Sequence, residues 1–127
     1  MKKTKVFVYG TLKKGAPARG IDRWAKGAQF IGPAVTSKSA YSLYDLGSFP
    51  AVVLNGKTRI LGEVWAVDDD TMQDLDRIEG YPAFYKRTLV DTTQGQSWMY
   101  FIPDIENYTA NCIEPDTDQI ASWREYE

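Results

Sequence analysis

A single clear helix stands in a chain whose other patterned segments all resemble strands, and this imbalance limits the possible folds. Asp68–Asp70 supply side-chain oxygens for the first free N–H groups of the helix, and their negative charge suits a helix N-terminus. Gly80 ends the helix, and Pro82 prevents it from resuming. We therefore predict a short helix, a turn and a strand between residues 67 and 87.

Short runs of β-branched and aromatic residues mark the strands. We predict strands over Lys5–Tyr9, Ala28–Lys38, Tyr41–Tyr44, Ala51–Leu54, Thr58–Val67, Phe84–Val90 and Trp98–Ile102. Asn55-Gly56 predicts a tight turn between two of them, and one turn of helix is expected around Ile21–Trp24. Many strands with one clear helix indicate an α+β domain built on a curved or closed β-sheet. The pattern leaves closure of the sheet open.

The chain of 127 residues is expected to form a single domain over 1–127, because this length buries roughly two-thirds of the surface of the unfolded chain. Residues 104–127 are mostly polar and acidic and are predicted to form a C-terminal tail. Ile120, Trp123 and Tyr126 recur at helical spacing, so we expect them to pack this tail onto the body of the protein.

Charge and composition exclude several classes of partner. The 17 acidic and 15 basic residues give a net charge of -2, and the basic residues are scattered, so no nucleic-acid partner is expected. No apolar run is long enough to cross a membrane, and no signal-peptide pattern follows Met1-Lys2-Lys3. The single Cys112 cannot form an internal disulfide. We therefore expect a cytoplasmic protein without a membrane partner.

Histidine is absent from the chain, which restricts the chemistry available to it. Ser–His and Cys–His nucleophile pairs are excluded, as are all metal sites that use histidine ligands. Asp68–Asp70 could suggest a metal site, but helix capping explains these residues more simply. We expect no cofactor and no metal, so acid–base chemistry must come from carboxylates, tyrosines or lysines.

Glu79 lies on the apolar face of the predicted helix. Met72, Leu75 and Ile78 form an apolar stripe, and Glu79 falls inside it in the last turn. Burial and the negative end of the helix dipole both favour the neutral acid, so the pKa of Glu79 should rise toward neutrality. Alternatively, Glu79 bends out to solvent as an ordinary residue at a helix end. The helix pattern alone does not decide between the two.

The first predicted strand runs directly into a glycine-rich segment. Gly10 and Gly15 have the spacing of the glycines in a Walker A loop, but Ala16-Pro17 stand where that motif requires Lys and Ser or Thr. We therefore reject a nucleotide-binding loop. Gly10 still allows a ligand to approach the backbone, and successive N–H groups leaving a strand can bind an anion or a carboxylate. The alternative is an ordinary turn.

Two separated segments resemble a known family. Val6-Phe-Val-Tyr-Gly-Thr-Leu-Lys-Lys-Gly15 resembles the opening signature of the gamma-glutamylcyclotransferase-like superfamily, and Leu75-Asp-Arg-Ile-Glu-Gly-Tyr-Pro-Ala-Phe-Tyr-Lys-Arg87 resembles its catalytic segment. Phe49-Pro50-Ala51 and Gly62-Glu63-Val64 fit the pattern between them. The resemblance extends to about Ile102 and is closest to the gamma-glutamylamine cyclotransferase branch.

This resemblance implies a small mixed β-barrel flanked by short helices, with a pocket at its mouth. It implies that Glu79 is the general acid/base. It also implies that Tyr9, Gly10, Thr11, Leu12 and Tyr85 contact the substrate. The implied reaction releases an amine and 5-oxoproline from a small gamma-glutamyl amide, because the α-amine of the substrate attacks its own γ-carbonyl. Such a ring closure needs no metal and no nucleophile from the enzyme.

Other interpretations of the same residues remain open. A non-catalytic module could bind a small amino-acid-like ligand in the same pocket. A hydrolase with two carboxylates could use Glu63 or Asp76 together with Glu79. Lys86-Arg87 could bind an anion, although a solvated strand end or a structural ion pair explains these residues as well. Neither the leaving amine nor the oligomeric state follows from the sequence.

Overall fold

A computed structural model describes residues 3–17 and 19–124 and shows a mixed β-sheet with few helices. The strands are β1 (Thr4–Val8), β2 (Gln29–Val35), β3 (Tyr41–Asp45), β4 (Pro50–Val67), β5 (Lys86–Thr92), β6 (Gly95–Phe101), β7 (Asn111–Cys112) and β8 (Ile120–Ala121). The helices are α1 (Ile21–Trp24), α2 (Asp69–Ile78) and a 3₁₀ turn (Ile105–Asn107). The predicted α+β class is confirmed. No helix in the described part of the chain is long and apolar enough to cross a membrane.

Strand β1 lies in the interior of the sheet and is covered on both faces. It pairs antiparallel with β4 and parallel with β6. Val6 and Val8 point into one apolar cluster with Leu75 of α2, whereas Phe7 points into a second cluster on the opposite face. Strands buried on both faces are continuously apolar, which explains the unbroken Val6-Phe7-Val8 run. Strand β1 is hydrogen-bonded along both edges and packed on both faces. The position of the first residues of the following loop is therefore fixed by the sheet.

The long strand β4 corrects one prediction. The expected tight turn at Asn55-Gly56 is absent, and one strand of 18 residues runs through both positions. On β3, Tyr41 pairs with Thr58 while its neighbour Ser42 pairs with Val53, so β4 bulges outward at this point and returns to the same partner. The Ser42 hydroxyl donates a hydrogen bond to the Asn55 carbonyl at 2.9 Å. A contact with a distant strand therefore replaces the local turn.

The sheet curves back on itself between β2 and β5. An isolated bridge joins Thr36 to Thr92, and the Ser37 N–H donates to the Asp91 carbonyl at 2.9 Å. No continuous ladder of described residues joins the two strands, so the curved sheet is not a fully hydrogen-bonded barrel. The curvature implied by the resemblance is present, and a few contacts join the end of β2 to the end of β5.

The C-terminal segment pairs with the sheet through two short strands. Strand β7 pairs with β3, and β8 pairs in parallel with β4. Trp123 is 5% exposed, so the expected packing of this segment onto the body is observed. The helical spacing was misleading, because residues 120–124 form a short strand and an irregular end. The N–H of Arg59 in β4 donates to the Gln119 carbonyl, which favours sheet pairing here. Tyr126 lies outside the described residues.

Helix α2 begins and ends where its sequence signals place it. The Asp68 carboxylate accepts a hydrogen bond from the Thr71 N–H at 2.8 Å, which satisfies one free donor of the first turn. At the other end, Gly80 has a φ of +68°. The N–H of Tyr81 donates to the Asp76 carbonyl, and that of Gly80 donates to the Arg77 carbonyl. This pair of bonds is a Schellman motif, which stops the helix directly after Glu79.

The N-cap gives a prediction for stability. Replacing Asp68 by Ala removes the acceptor of the Thr71 N–H, so we expect Asp68→Ala to lower the free energy of unfolding. Asp69→Ala is the matched control, because Asp69 is an exposed acid in the same turn and is not the N-cap. Urea denaturation of the two variants measures the difference. Equal losses in both would contradict a specific capping bond.

Candidate active site

A cavity of about 160 Å³ opens where the end of β1, the start of β4 and the end of α2 meet. Its walls are mostly aromatic and apolar. Glu79 and Arg19 are the charged side chains among the described residues that line it. All residues that the sequence singled out for the site line this cavity: Tyr9, Gly10, Thr11, Leu12, Glu79 and Tyr85. The structure therefore brings together two segments that lie about seventy residues apart in the chain.

Glu79 is buried at the C-terminal end of α2. The residue is 9% exposed, and its backbone N–H donates to the Leu75 carbonyl at 2.9 Å. Burial raises the pKa of Glu79 to about 7, while the positive charge of Arg19 partly opposes this rise. The alternative that Glu79 bends out to solvent is wrong. Glu79 lies on the apolar stripe of the helix, which faces the interior. The turn that ends the helix begins only at Gly80, after Glu79, so it does not move this residue toward solvent.

Residues 10–12, in the loop after β1, line the cavity. The Lys13 N–H donates to the Gly10 carbonyl at 3.1 Å, and the Ile21 N–H donates to the Leu12 carbonyl at 2.9 Å. Within residues 3–17 and 19–124, no protein acceptor pairs with the N–H groups of Gly10, Thr11 and Leu12. Unpaired N–H groups beside a cavity are suited to binding an anionic oxygen.

Gly10 is required here by packing. A Cβ at this position would lie 2.6 Å from Cγ of Pro50 and 2.8 Å from its Cδ, and both distances are far below contact distance. The sequence suggested that Gly10 makes room for a ligand. The structure instead shows that Gly10 makes room for Pro50, the first residue of β4. The loop and β4 therefore close one side of the cavity together.

The two tyrosines of the predicted site form walls of the cavity. The Tyr9 hydroxyl donates to the Tyr100 carbonyl at 2.9 Å and accepts from the Val52 N–H at 3.0 Å. The Tyr85 hydroxyl donates to the Pro50 carbonyl at 2.7 Å. Burial raises the pKa of both hydroxyls well above the usual range, so both remain protonated. The fold already uses the Tyr85 proton, so Tyr85 would contact the substrate through its ring and not by donating its hydroxyl hydrogen.

The other candidate carboxylates lie outside the cavity. Glu63 accepts hydrogen bonds from the indole N–H of Trp65 at 3.0 Å and from the Lys14 N–H. Asp76 accepts the Tyr100 hydroxyl at 2.7 Å and pairs with Arg87. Since neither carboxylate lines the cavity, the structure does not supply the second acid that a hydrolase with two carboxylates requires.

Arg87 is part of the structural framework. Its guanidinium donates to both Asp76 oxygens, at 3.0 and 3.3 Å, and lies 4.4 Å from the ring centre of Trp98 and 4.8 Å from that of Tyr81. These contacts connect α2 to β5 and β6. Of the three explanations for Lys86-Arg87, the structural ion pair is therefore correct for Arg87.

The cavity also contains residues that were not assigned to the site from the sequence. They are Phe7, Val8, Arg19, Phe49, Pro50, Ile78, Phe84 and Tyr100. Ile78 lies on the apolar stripe of the predicted helix and Tyr100 in a predicted strand, so neither pattern indicated a site. Arg19 stood in an irregular loop with no periodic pattern to indicate its direction. A cation in a loop close to the predicted binding segment was the available signal for Arg19.

Comparison with protein families gives one match that spans almost the whole chain. A family model described as gamma-glutamyl cyclotransferase, AIG2-like, matches residues 6–125. A putative gamma-glutamylcyclotransferase from Vibrio cholerae is 39% identical over 95 residues, covering 75% of this chain and 78% of the relative. Gamma-glutamylaminecyclotransferase B from Danio rerio is 41% identical over 91 residues, covering 67% of this chain and 47% of the relative.

Solved structures give the same picture of the fold. An AIG2-like protein from Mus musculus superposes with a TM-score of 0.68 at 26% identity and full coverage of both chains. The solution structure of ytfP from Escherichia coli superposes with a TM-score of 0.65 at 29% identity, covering 87% of this chain and 92% of that one. The small mixed fold is therefore shared with these proteins.

The buried carboxyl predicts how stability depends on pH. Folded Glu79 keeps its proton up to about pH 7, whereas the unfolded chain releases it near the ordinary value of 4.5. The folded state binds more protons in this window, so its stability falls as the pH rises through it. Between about pH 4 and about pH 8, we expect the native protein to lose on the order of 3 kcal/mol relative to Glu79→Gln.

Urea denaturation of the native protein and of Glu79→Gln at the two pH values measures this difference. Gln does not titrate, so contributions from other groups, such as the lowered pKa of Asp68, cancel in the comparison. A difference in unfolding free energy between the two proteins that stays constant with pH would show that Glu79 titrates normally.

Proposed function

The chain belongs to the gamma-glutamyl cyclotransferase, AIG2-like family, and on that basis we propose that it releases an amine and 5-oxoproline from a gamma-glutamyl amide. In this reaction the α-amine nitrogen of the substrate forms a bond to the γ-carbonyl carbon, and the bond from that carbon to the leaving amine breaks. Counted from the ammonium form of the substrate, the attacking nitrogen loses two protons. One of them reaches the departing nitrogen, and the other passes to the released amine or to solvent. The name of the Danio rerio relative supports an amine as the leaving group.

The buried carboxyl of Glu79 is the observation that carries this proposal. The substrate α-amine is mostly protonated at neutral pH, so a base must remove a proton before the amine can attack. The same carboxylic acid can then protonate the departing amine. A pKa of about 7 supports both roles, because the acid and the base are then both populated near neutral pH.

The shape of the cavity supports ring closure within one substrate molecule. Aromatic walls around Tyr9, Phe84 and Tyr85 can hold a gamma-glutamyl chain folded, with its amine near its own carbonyl. Such positioning lowers the activation barrier by several kcal/mol, and by up to roughly 7–11 kcal/mol in ideal intramolecular cases. The apolar lining also limits the water that competes for the carbonyl.

We assign the N–H groups of Gly10, Thr11 and Leu12 to an oxygen anion of the substrate. Their lack of protein acceptors among the described residues supports this role. The α-carboxylate and the oxyanion that develops on the γ-carbonyl both have the required charge. Preformed donors stabilise a developing oxyanion without reorganising during the reaction. Tyr9 and Tyr85 shape the pocket around this loop.

The carboxyl can be tested by a substitution of equal size. We expect Glu79→Gln to lower kcat by about 100-fold or more, because Gln cannot exchange the proton, while substrate affinity stays near that of the native protein. Formation of 5-oxoproline from a panel of gamma-glutamyl amines measures the loss. Glu114→Gln is the control, since Glu114 is exposed and lies outside the cavity. Turnover by Glu79→Gln within a few-fold of the native rate would remove Glu79 from the acid/base role.

Cyclisation and hydrolysis can be separated without a mutant. If the α-amine is the nucleophile, N-acetylation of a good gamma-glutamyl substrate should abolish release of its amine. In ¹⁸O-labelled water the unblocked substrate should yield 5-oxoproline with no label, because no water oxygen enters the product. Mass spectrometry of the products makes the measurement. Labelled free glutamate as the main product would show hydrolysis and refute the cyclotransferase proposal.

A further inference from the structure

Arg87 contacts residues on both sides of Glu79 in the chain. Its guanidinium donates to both oxygens of Asp76, three residues before Glu79, at 3.0 and 3.3 Å. The central carbon of the guanidinium lies 4.8 Å from the ring centre of Tyr81, two residues after Glu79. The N–H of Tyr81 donates to the Asp76 carbonyl at 2.8 Å, which closes the turn that contains Glu79. From its place in β5, Arg87 therefore holds both ends of that turn.

The contacts of Arg87 fix a direction as well as a distance. The guanidinium also lies 4.4 Å from the ring centre of Trp98 in β6, and Asp76 accepts the Tyr100 hydroxyl from the same strand at 2.7 Å. The side chains of Arg87 and Asp76 are each 20% exposed, so solvent screens this ion pair less than a surface pair. A planar guanidinium that donates two hydrogen bonds and stacks on rings restricts the angle of its partner.

The Glu79 carboxyl has no comparable contact of its own. Burial and the charge of Arg19 act on it, and no hydrogen bond from a described residue contributes. Leu75 and Ile78 pack this face of α2 against the core, but apolar packing has no preferred direction. The place of the carboxyl therefore depends on the backbone of the turn between Asp76 and Tyr81.

We propose that Arg87 is a positioning residue for Glu79. By holding Asp76 and Tyr81, it keeps the turn between them in place, so the carboxyl stays directed into the cavity. Arg87 does not line the cavity and acts through this turn, without touching the substrate. This inference rests on the proposed function, because it assigns Arg87 to the acid/base of that reaction.

A looser turn has two measurable consequences. A displacement of about 1 Å at a reacting group can cost on the order of 100-fold in rate, so kcat should fall. KM should stay within a few-fold, because the rest of the cavity is unchanged. A carboxyl that moves toward solvent also loses part of the burial that raises its pKa to about 7, so its titration midpoint should fall toward 4.5. A substitution that only destabilised the fold would change neither property of the folded protein.

Arg87→Lys tests the position without removing the charge. Lys keeps the positive charge beside Asp76 but lacks the planar group that donates twice and stacks. We expect kcat to fall by about tenfold or more, with KM within a few-fold and a lower midpoint for Glu79. Arg77→Lys is the matched control, because Arg77 pairs with Asp74 on the same helix at a more exposed site. It should leave kcat, KM and the midpoint unchanged.

Asp76→Glu makes the same test from the other partner of the ion pair. The extra methylene keeps the charge and changes the distance between α2 and β5, so kcat and the midpoint of Glu79 should again fall. Asp74→Glu is its control on the exposed pair. Thermal denaturation checks that each variant is folded, and either Arg87→Lys or Asp76→Glu carries the test if the other does not fold.

Side-chain ¹³C NMR of protein labelled in glutamate measures the midpoint. The Glu79 signal is assigned by its absence from Glu79→Gln. The other titratable or charged groups that line the cavity are Arg19, Tyr9, Tyr85 and Tyr100, and the variants keep all four. Burial raises the pKa of the three hydroxyls well above the usual range, so they keep their protons throughout the titration.

The midpoint decides the outcome. An unchanged midpoint in the folded variants would overturn the inference. So would an unchanged midpoint in Arg87→Lys together with a raised one in Arg87→Gln, because the unpaired Asp76 carboxylate would then act on Glu79 by charge alone. The titration needs no substrate. A lower midpoint in Arg87→Lys therefore supports the positioning role even if the native protein forms no 5-oxoproline, which would refute the proposed function separately.

Discussion

The hydrogen-bond ladder along β4 is the constraint on which the rest of the structure depends. This strand pairs with β1, β2, β3 and β8, so it joins the interior of the sheet to the C-terminal segment. It also anchors the walls of the cavity. The Pro50 carbonyl accepts the hydroxyl of Tyr85, and the Val52 N–H donates to the hydroxyl of Tyr9. The tyrosine rings are held by the same backbone that builds the sheet, and their polar groups are therefore satisfied within the fold.

The burial of Glu79 makes its ionised form unfavourable for the stability of the fold, and the same burial gives the carboxyl its raised pKa. An ionised Glu79 is unfavourable in an apolar cavity, and the raised pKa is the direct result. The Schellman motif at Gly80 ends α2 immediately after this residue. Asp76, Arg87 and the Tyr100 hydroxyl form a separate network behind the cavity that attaches α2 to the sheet. Because that network pairs its own charges, Glu79 and Arg19 remain as the charged groups of the cavity among the described residues.

Much of the fold could be predicted because its signals are local. The N-cap at Asp68 and the stop at Gly80 act on neighbours a few positions away, and both are found where the sequence indicated, as are the centres of most predicted strands. The errors occurred where a distant strand competed with a local preference. Asn55-Gly56 favours a tight turn in isolation, yet β3 pairs on both sides of it and keeps it within β4. The helical spacing that begins at Ile120 was likewise overridden, because the edge of β4 offered hydrogen bonds.

The sequence by itself determined which residues approach the candidate site. The spacing of apolar residues in the helix placed Glu79 on the apolar face. The loop that begins at Gly10, directly after the first strand, lines the same cavity. Only the tertiary structure decided that Glu79 points inward, that the Tyr85 hydroxyl is already bonded to Pro50, and that Arg19 lines the cavity. Helix caps and strand patterns depend on neighbours along the chain. The burial of a carboxyl, or the partner of a hydroxyl, depends on residues that only the folded chain brings into contact.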